Sequence, residues 1–213
     1  MRKFQLLFAM ATAALCTGPA LAEEASTPVA SVQKHWAEAN YAAEGRDRKN
    51  AFKALTEEAD QLVAQAPDSA EAHIWAGIVY STYAGEVSMF SAGKQVKRAR
   101  AELESALELD PNAMDGSAYT SLGALLYQIP GFMGGDEEQA EKLLKQGLEL
   151  NPQGIDSNYF YASFLIEQKR YDEAMEYLQK AANAPARPMR PLADQGRHSE
   201  IDSAMSDLQK KRS

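Results

Sequence analysis

The sequence predicts an all-α protein in which antiparallel helix pairs stack side by side. Apolar side chains recur at intervals of three and four residues, the spacing that places them on one face of a helix. The pattern returns several times along the chain, and each copy follows a second periodic stretch. No segment shows the alternation that is typical of a β-strand. The helices are therefore expected to come in pairs.

The second helix of each pair carries the clearest repeat. Three segments place similar residues at intervals of four, three and five positions. They are Ala99, Leu103, Ala106 and Pro111; Ala140, Leu144, Gly147 and Pro152; and Ala174, Leu178, Ala181 and Ala186. Proline ends the first two helices, and Asp68 and Asp136, each followed three residues later by Glu or Gln, favour helix N-termini. Self-similarity at a fixed spacing indicates a repeat protein.

The first helix of each pair has a small residue at its centre. The three stretches are residues 74–80, 121–126 and 161–165, centred on Gly77, Gly123 and Ala162. Because an exposed glycine inside a helix costs ~1 kcal/mol relative to alanine, the two glycines predict close contact with a neighbouring helix.

These spacings resemble the tetratricopeptide repeat, a helix-turn-helix unit of 34 residues. The third copy resembles it most, since small and large packing residues stand where the family has them: Ala162, Leu165, Ala174, Leu178 and Ala181. The resemblance implies a short right-handed solenoid, with a degenerate first copy at about 28–67 and further copies at 69–111, 115–152 and 155–186. It also implies a protein-interaction scaffold rather than an enzyme.

Both ends of the chain differ from the repeats. Residues 1–22 combine Arg2 and Lys3 with an apolar run and a final Ala-Leu-Ala, the pattern of a signal peptide cleaved after Ala22. A periplasmic protein of the cell envelope is therefore expected, with no Cys and no membrane-spanning segment in the mature chain. Residues 187–213 are predicted to form a Pro-rich linker and a helix that caps the last repeat.

Charge and spacing argue against several classes of function. Removal of Arg2 and Lys3 leaves 20 basic against 30 acidic residues, a formal charge of −10, which disfavours nucleic acid as a partner. His35, His73 and His198 lack the spacing that presents a metal from one helix. No catalytic, cofactor-binding or metal-binding residue is predicted, although an enzyme with scattered active-site residues stays an open alternative.

The repeat resemblance implies a groove lined by the first helix of each pair, which receives a peptide or a helix of a partner protein. The residues that it assigns to the groove are Ile74, Ile78, Thr120, Ala124, Tyr127, Tyr159 and Ser163. Because these positions lack Lys and Arg, the groove should favour apolar or aromatic partners. The alternative is that a helix of the chain itself fills the groove.

Two insertions lengthen the first two of the three clear copies. The interval from the central small residue to the next helix's alanine is 22 residues after Gly77, 17 after Gly123 and 12 after Ala162. Both fall at equivalent turns, which a solenoid brings side by side, and each carries an apolar doublet, Met89-Phe90 and Phe132-Met133. We expect the doublets to pack on each other; the alternative is an exposed interaction patch.

A second resemblance is weaker. Gly134-Gly135-Asp136 before a helix, in a short exported repeat protein, is similar to the T component of TRAP solute transport systems. This resemblance implies an alternative function, in which an accessory component handles a small ligand within a homo-oligomer.

Overall fold

The computed structural model describes residues 27–212, and that part of the chain is helical throughout, without a strand. The elements are α1 (Pro28–Tyr41), α2 (Gly45–Gln65), α3 (Ala70–Glu86), α4 (Met89–Leu109), α5 (Ala113–Gln128), a 3-10 turn (Gly131–Met133), α6 (Glu137–Leu150), α7 (Ile155–Glu167), α8 (Tyr171–Ala182) and α9 (Pro191–Arg212). The predicted all-α fold is confirmed. The predicted signal peptide lies outside the described residues. Within the described part, each helix is too short or too polar to cross a bilayer.

Four helix pairs build the solenoid: α1 with α2, α3 with α4, α5 with α6, and α7 with α8. Each second helix contacts the first helix of the next pair, and the first helices also contact one another in the order α1, α3, α5 and α7. The first helices therefore form one continuous surface, which is the inner face of the solenoid.

Side-chain caps set several of the helix starts. Asp136 accepts a hydrogen bond from the backbone N–H of Gln139 at 2.9 Å, which confirms the helix start predicted there. The prediction for Asp68 is wrong by one residue, because the Oγ of Ser69 accepts from the N–H of Ala72 at 3.3 Å. Proline stands at the first position of α1, where its missing N–H costs nothing.

The two central glycines mark close helix packing. A Cβ on Gly77 would lie 2.6 Å from Cγ of Leu103, and a Cβ on Gly123 would lie 2.8 Å from Cγ of Leu144. Carbon atoms in contact prefer a separation of about 3.5–4.0 Å. Each glycine thus lets the second helix of its own pair approach closely, as the sequence predicts.

The two insertions are structured rather than loose. The first is absorbed by longer helices, since α3 and α4 have 17 and 21 residues whereas α7 and α8 have 13 and 12. The second forms the 3-10 turn, which ends at Gly134 with a φ of 94°. The Met133 side chain approaches Gly93 on α4, so the two insertions are neighbours in space, as predicted.

Helix α9 has two different surroundings along its length. Ile201 and Leu208 are buried against the last helix pair. The N-terminal part of α9 reaches back to α1 and α7, and Gly196 lies so close to Tyr41 that a Cβ there would be 2.3 Å from the tyrosine ring. The helix that covers the last repeat therefore also touches the first one.

Candidate binding cavity

A cavity of about 1050 Å³ lies on the inner face of the solenoid. All four first helices contribute to its wall, and the lining residues include Trp36, Trp75, Ile78, Thr120, Ala124 and Phe160. Residues 185–200, here called the tail segment, contribute the facing wall through Pro185 to Pro188, Arg190, Arg197 and Glu200. The size is comparable to the ~300–1,000 Å³ of ligand-binding clefts.

The tail segment is held in a defined shape by its own contacts. Asp194, in the first turn of α9, accepts hydrogen bonds from the backbone N–H of Arg187 at 2.7 Å and from its guanidinium Nε at 2.5 Å. A carboxylate at a helix N-terminus is also favoured by the helix dipole. These bonds close the chain around Pro188 and Met189, and Met189 has a φ of 61°.

Asp156, in the first turn of α7, fastens the tail segment to the solenoid. Arg197 donates from Nε to Asp156 at 2.8 Å, and Arg187 forms a second ion pair with the same carboxylate. Burial works to raise the pKa of Asp156, but the Arg197 and Arg187 cations outweigh it and hold the pKa at about 2. Asp156 is therefore a carboxylate at neutral pH, and it joins both cations to α7.

Arg197 also covers the aromatic residues at this end of the groove. Its guanidinium carbon lies 4.4 Å from the ring centre of Tyr159 and 4.7 Å from that of Phe160. The contact combines a cation with two aromatic faces while the carboxylate partners keep the charge balanced. Arg197 thus covers Tyr159 and one face of Phe160, while Phe160 still lines the cavity.

The predicted groove residues separate into two groups. Ile78, Thr120 and Ala124 line the cavity. Ile74 has no exposed surface and belongs to the core, so the prediction that it points into the groove is wrong. The reason is that α3 is enclosed by α1, α2, α4 and α5, which leaves only a narrow strip open.

Tyr127, Tyr159 and Ser163 are not part of the cavity wall. Tyr127 packs edge-to-face on Phe164 with ring centres 5.7 Å apart, and Ser163 donates its hydroxyl to the carbonyl of Tyr159 at 2.9 Å. Tyr159 itself lies under Arg197. The tail segment and local packing remove these three side chains from the predicted groove.

The charged residues of the cavity were missed by the sequence reasoning. Arg187, Arg190 and Arg197 come from a stretch interpreted as a linker and a cap, and Asp156 from a helix start. The available signal was the concentration of arginines beside the prolines at positions 185, 188 and 191. As a result, the wall is more polar than the predicted apolar groove.

The insertion edge, defined as Met89, Phe90, Phe132 and Met133, is largely open. Phe90 is 97% exposed and Phe132 is 81% exposed, so the expected packing of the doublets on each other is wrong. The reason is that Phe90 stands in the first turn of α4 and Phe132 in the 3-10 turn, and both rings are exposed to solvent there. Met89 and Met133 instead reach the rim of the cavity.

Two histidines, His35 and His73, contact acidic residues of neighbouring helices. Nδ1 of the buried His73 lies 2.6 Å from a Glu102 carboxylate oxygen, and its Nε2 lies 2.8 Å from the carbonyl oxygen of Pro67. His35 contacts Glu58 in a similar way at 2.7 Å. In residues 27–212, no three His, Asp or Glu side chains converge as a metal ion would require.

Comparison with known proteins identifies the repeat. Residues 132–188 match the model of the tetratricopeptide repeat family, and they cover the second insertion, α6, α7, α8 and the start of the tail segment. This part of the chain is therefore similar to a tetratricopeptide repeat. Such repeats in general form protein-interaction scaffolds and not enzymes. A comparison with curated protein sequences gives no match.

Solved structures similar to this chain have low sequence identity to it. A thermophilic tetratricopeptide repeat protein of Thermus thermophilus, TTC0263, has a TM-score of 0.54 at 16% identity, over 83% of this chain and 97% of that one. MamA gives 0.45 at 18% identity, over 77% and 90% of the two chains. MamA from Desulfovibrio magneticus RS-1 gives 0.44 at 14% identity, over 87% and 96%. At such identities the first likeness supports the fold and nothing further.

Proposed function

We propose that this protein is a non-enzymatic periplasmic interaction scaffold that binds a short peptide segment of a partner protein in the cavity. The observation that carries the proposal is the cavity itself, about 1050 Å³ in volume and lined by the first helices of all four pairs. The peptide-binding surface of a repeat solenoid is built in this way, from equivalent positions of successive units. Ile78, Ala124 and Phe160 supply apolar contact, and Thr120 supplies a polar group.

The tail segment limits the length of the partner segment that can bind in the cavity. It covers the inner face beside α7 and contacts Trp75 of α3, but it leaves Ile78 of α3 and Ala124 of α5 in the cavity wall. A long amphipathic helix would need the whole groove, including the part that Arg197 covers. A short segment therefore suits the remaining space better.

Residues 1–22 support export. Their basic start, short apolar run and Ala-Leu-Ala ending are the features of a cleaved secretory signal. The acidic composition is consistent with a partner other than nucleic acid. The proposed partner is accordingly a protein of the cell envelope.

The test is to fill the cavity from one wall. Ser121 lines the cavity and is half-buried, so Ser121→Trp should place an indole in the open space without disturbing the core. Ser203→Trp, on an exposed position of α9, is the matched control. Wild-type protein and both variants are used to capture partners from an envelope extract, and segments of the captured proteins are then titrated by calorimetry.

We expect the control to bind like the wild type and Ser121→Trp to bind at least about tenfold more weakly, equivalent to ~1.4 kcal/mol. Equal binding by Ser121→Trp would place the partner elsewhere and refute the proposal. A wild-type protein that captures no envelope protein would refute it as well.

A second candidate function is that of an accessory component of a TRAP-type transport system. The observation that favours it is the volume of the cavity, which suits a small ligand, together with the tail segment that partly encloses it. It requires permease genes beside the gene of this chain and a homo-oligomer in solution. A monomer by light scattering and the absence of such genes would exclude it.

A further inference from the structure

Four arginines stand on the cavity wall: Arg48, Arg187, Arg190 and Arg197. Arg48 pairs with Glu86 at 2.7 Å, Arg187 with Asp156 and Asp194, and Arg197 with Asp156 and Glu200. Arg190 is different, because its guanidinium forms neither an ion pair nor a hydrogen bond with any residue of the described chain. The carboxylates of Asp156 and Asp194, which act on Arg190 through space, are already paired with its neighbours.

Arg190 is nevertheless partly shielded from solvent. It is half-buried, and its guanidinium carbon lies 5.0 Å from the ring centre of Trp75. Burial, and after it the Arg187 cation, lowers the pKa of the Arg190 guanidinium. A cation that is partly desolvated without a carboxylate partner is unfavourable, so the site gains most from a ligand that brings a negative charge.

Trp75 supplies an independent observation at the same place. Trp75 as a whole is only 2% exposed and lines the cavity, yet its indole Nε1–H has no acceptor among the described residues. The neighbouring Trp36 differs, since its Nε1–H donates to the hydroxyl of Thr82 at 3.1 Å. Buried donors are almost always satisfied in proteins, and an unsatisfied one beside an unpaired cation indicates a missing acceptor.

We infer that Arg190 and the indole N–H of Trp75 form a carboxylate-binding subsite within the cavity. This inference rests on the proposed binding function and gives the ligand its chemistry. One carboxylate oxygen accepts from the guanidinium and the other from the indole, and the rest of the ligand extends along Ile78, Ala124 and Phe160. The cation comes from the tail segment, so the subsite exists only because that segment crosses the groove.

The ligand is a monocarboxylate that carries an apolar or aromatic group next to its carboxylate. Asp156 and Glu200 lie on the same wall and disfavour a group with more than one negative charge. Two kinds of molecule carry such a carboxylate: a small organic acid, and a peptide with a free C-terminus. The experiment separates them.

Binding is measured by calorimetry with 3-phenylpropionate and with its uncharged analogue 3-phenylpropionamide. The peptide arm uses Ala-Ala-Phe with a free and with an amidated C-terminus. Arg190→Gln removes the cation and Trp75→Phe removes the indole donor, while Arg46→Gln, at an exposed position on α2, is the matched control. Thermal melting of each variant establishes that it is folded.

We expect both acids or one of them to bind about tenfold or more tightly than the corresponding amide, which is the range for a hydrogen bond to a charged group. Arg190→Gln and Trp75→Phe should each remove this preference, and Arg46→Gln should keep it. Preference for the peptide acid identifies a peptide end as the ligand, and preference for the small acid alone identifies a small solute. Equal binding of acid and amide, absence of saturable acid binding, or full acid binding by Arg190→Gln overturns the inference.

A second readout observes the donor directly. The chain has two tryptophans, so their indole N–H signals in a ¹⁵N-correlated spectrum are assigned by the Trp75→Phe variant. Titration with 3-phenylpropionate should move the Trp75 indole proton downfield and the Trp36 proton less, because Trp36 already has an acceptor. A shift of Trp36 alone contradicts the inference.

The two proposals fail separately. If Ser121→Trp loses partner capture while Arg190→Gln keeps both capture and acid binding, the scaffold function holds and the carboxylate subsite is wrong. If Ser121→Trp captures partners like the wild type while acid preference still depends on Arg190, the cavity binds a carboxylate but the partner docks elsewhere.

Discussion

The inner face and the insertion edge carry the two groups of residues predicted to bind a partner, and they have opposite surroundings. The inner face is partly covered by the tail segment, and the Arg197 side chain there is 9% exposed and paired with two carboxylates. At the insertion edge, Phe90 is 97% exposed. The inner face therefore depends on the tertiary structure for its chemistry, whereas the insertion edge presents side chains that the fold does not use.

The two surfaces should also contribute differently to the stability of the fold. A charge buried with its partners is costly to disturb, because loss of one member leaves the other unpaired. An exposed ring loses little when it is replaced. Substitutions at the inner face should thus change stability, whereas substitutions at the insertion edge should change association alone. Three tests of this comparison follow, from the largest to the smallest expected effect on the free energy of unfolding.

The largest effect is expected for Arg197→Ala. It removes the cation from Asp156 and Glu200 and the cover from Tyr159 and Phe160. Breaking a buried pair costs about 3–5 kcal/mol, and Arg187 remains on Asp156, so we expect a loss of about 3 kcal/mol in urea unfolding. Lys210→Ala, which breaks an exposed pair on the same helix, should leave the unfolding free energy almost unchanged. Equal losses for both variants would mean that α9 is not fastened to the inner face through Arg197.

An intermediate and pH-dependent effect is expected for Asp156→Asn. Because the folded state lowers the pKa of Asp156 to about 2 from an ordinary value of ~3.9, its ion pairs contribute stability above about pH 4. That contribution is lost as the pH falls from about 4 to about 2. The difference in unfolding free energy between wild type and variant should therefore be constant from about pH 5 to 7 and shrink toward zero near pH 2. A difference that stays constant over this whole range would show that Asp156 is not held as an ion pair.

The smallest effect on stability is expected at the insertion edge. Phe90→Ser and Phe132→Ser, singly and together, should change the unfolding free energy by no more than about 0.5 kcal/mol each, since both rings are exposed. Phe164→Ser, at a buried ring, should cost about 3 kcal/mol or more. Unchanged melting with lost partner capture or self-association would assign the edge to an interface. Unchanged melting with unchanged association would leave the inner face as the binding surface.

The sequence by itself determined the helices, their pairing and the close contacts within each pair. Ala99, Leu103 and Ala106 recur at helical spacing and are completely buried, and Gly77 lies against Leu103 as expected. These features follow from short-range rules, because side chains three and four residues apart share a helix face and a glycine permits close approach. The repeat strengthens the prediction of the helices, since the same spacing rule applies in each copy.

The tertiary structure alone decided the cavity and its charges. Asp156 meets Arg187 and Arg197, which follow it by 31 and 41 residues, and the tail segment packs Gly196 on Tyr41 from the first pair. No periodicity links such positions, because their contact depends on how the whole solenoid curves and where the tail segment docks. The same docking covered Tyr159 and brought Arg190 to Trp75, so the chemistry of the cavity follows from long-range packing that local spacing does not encode.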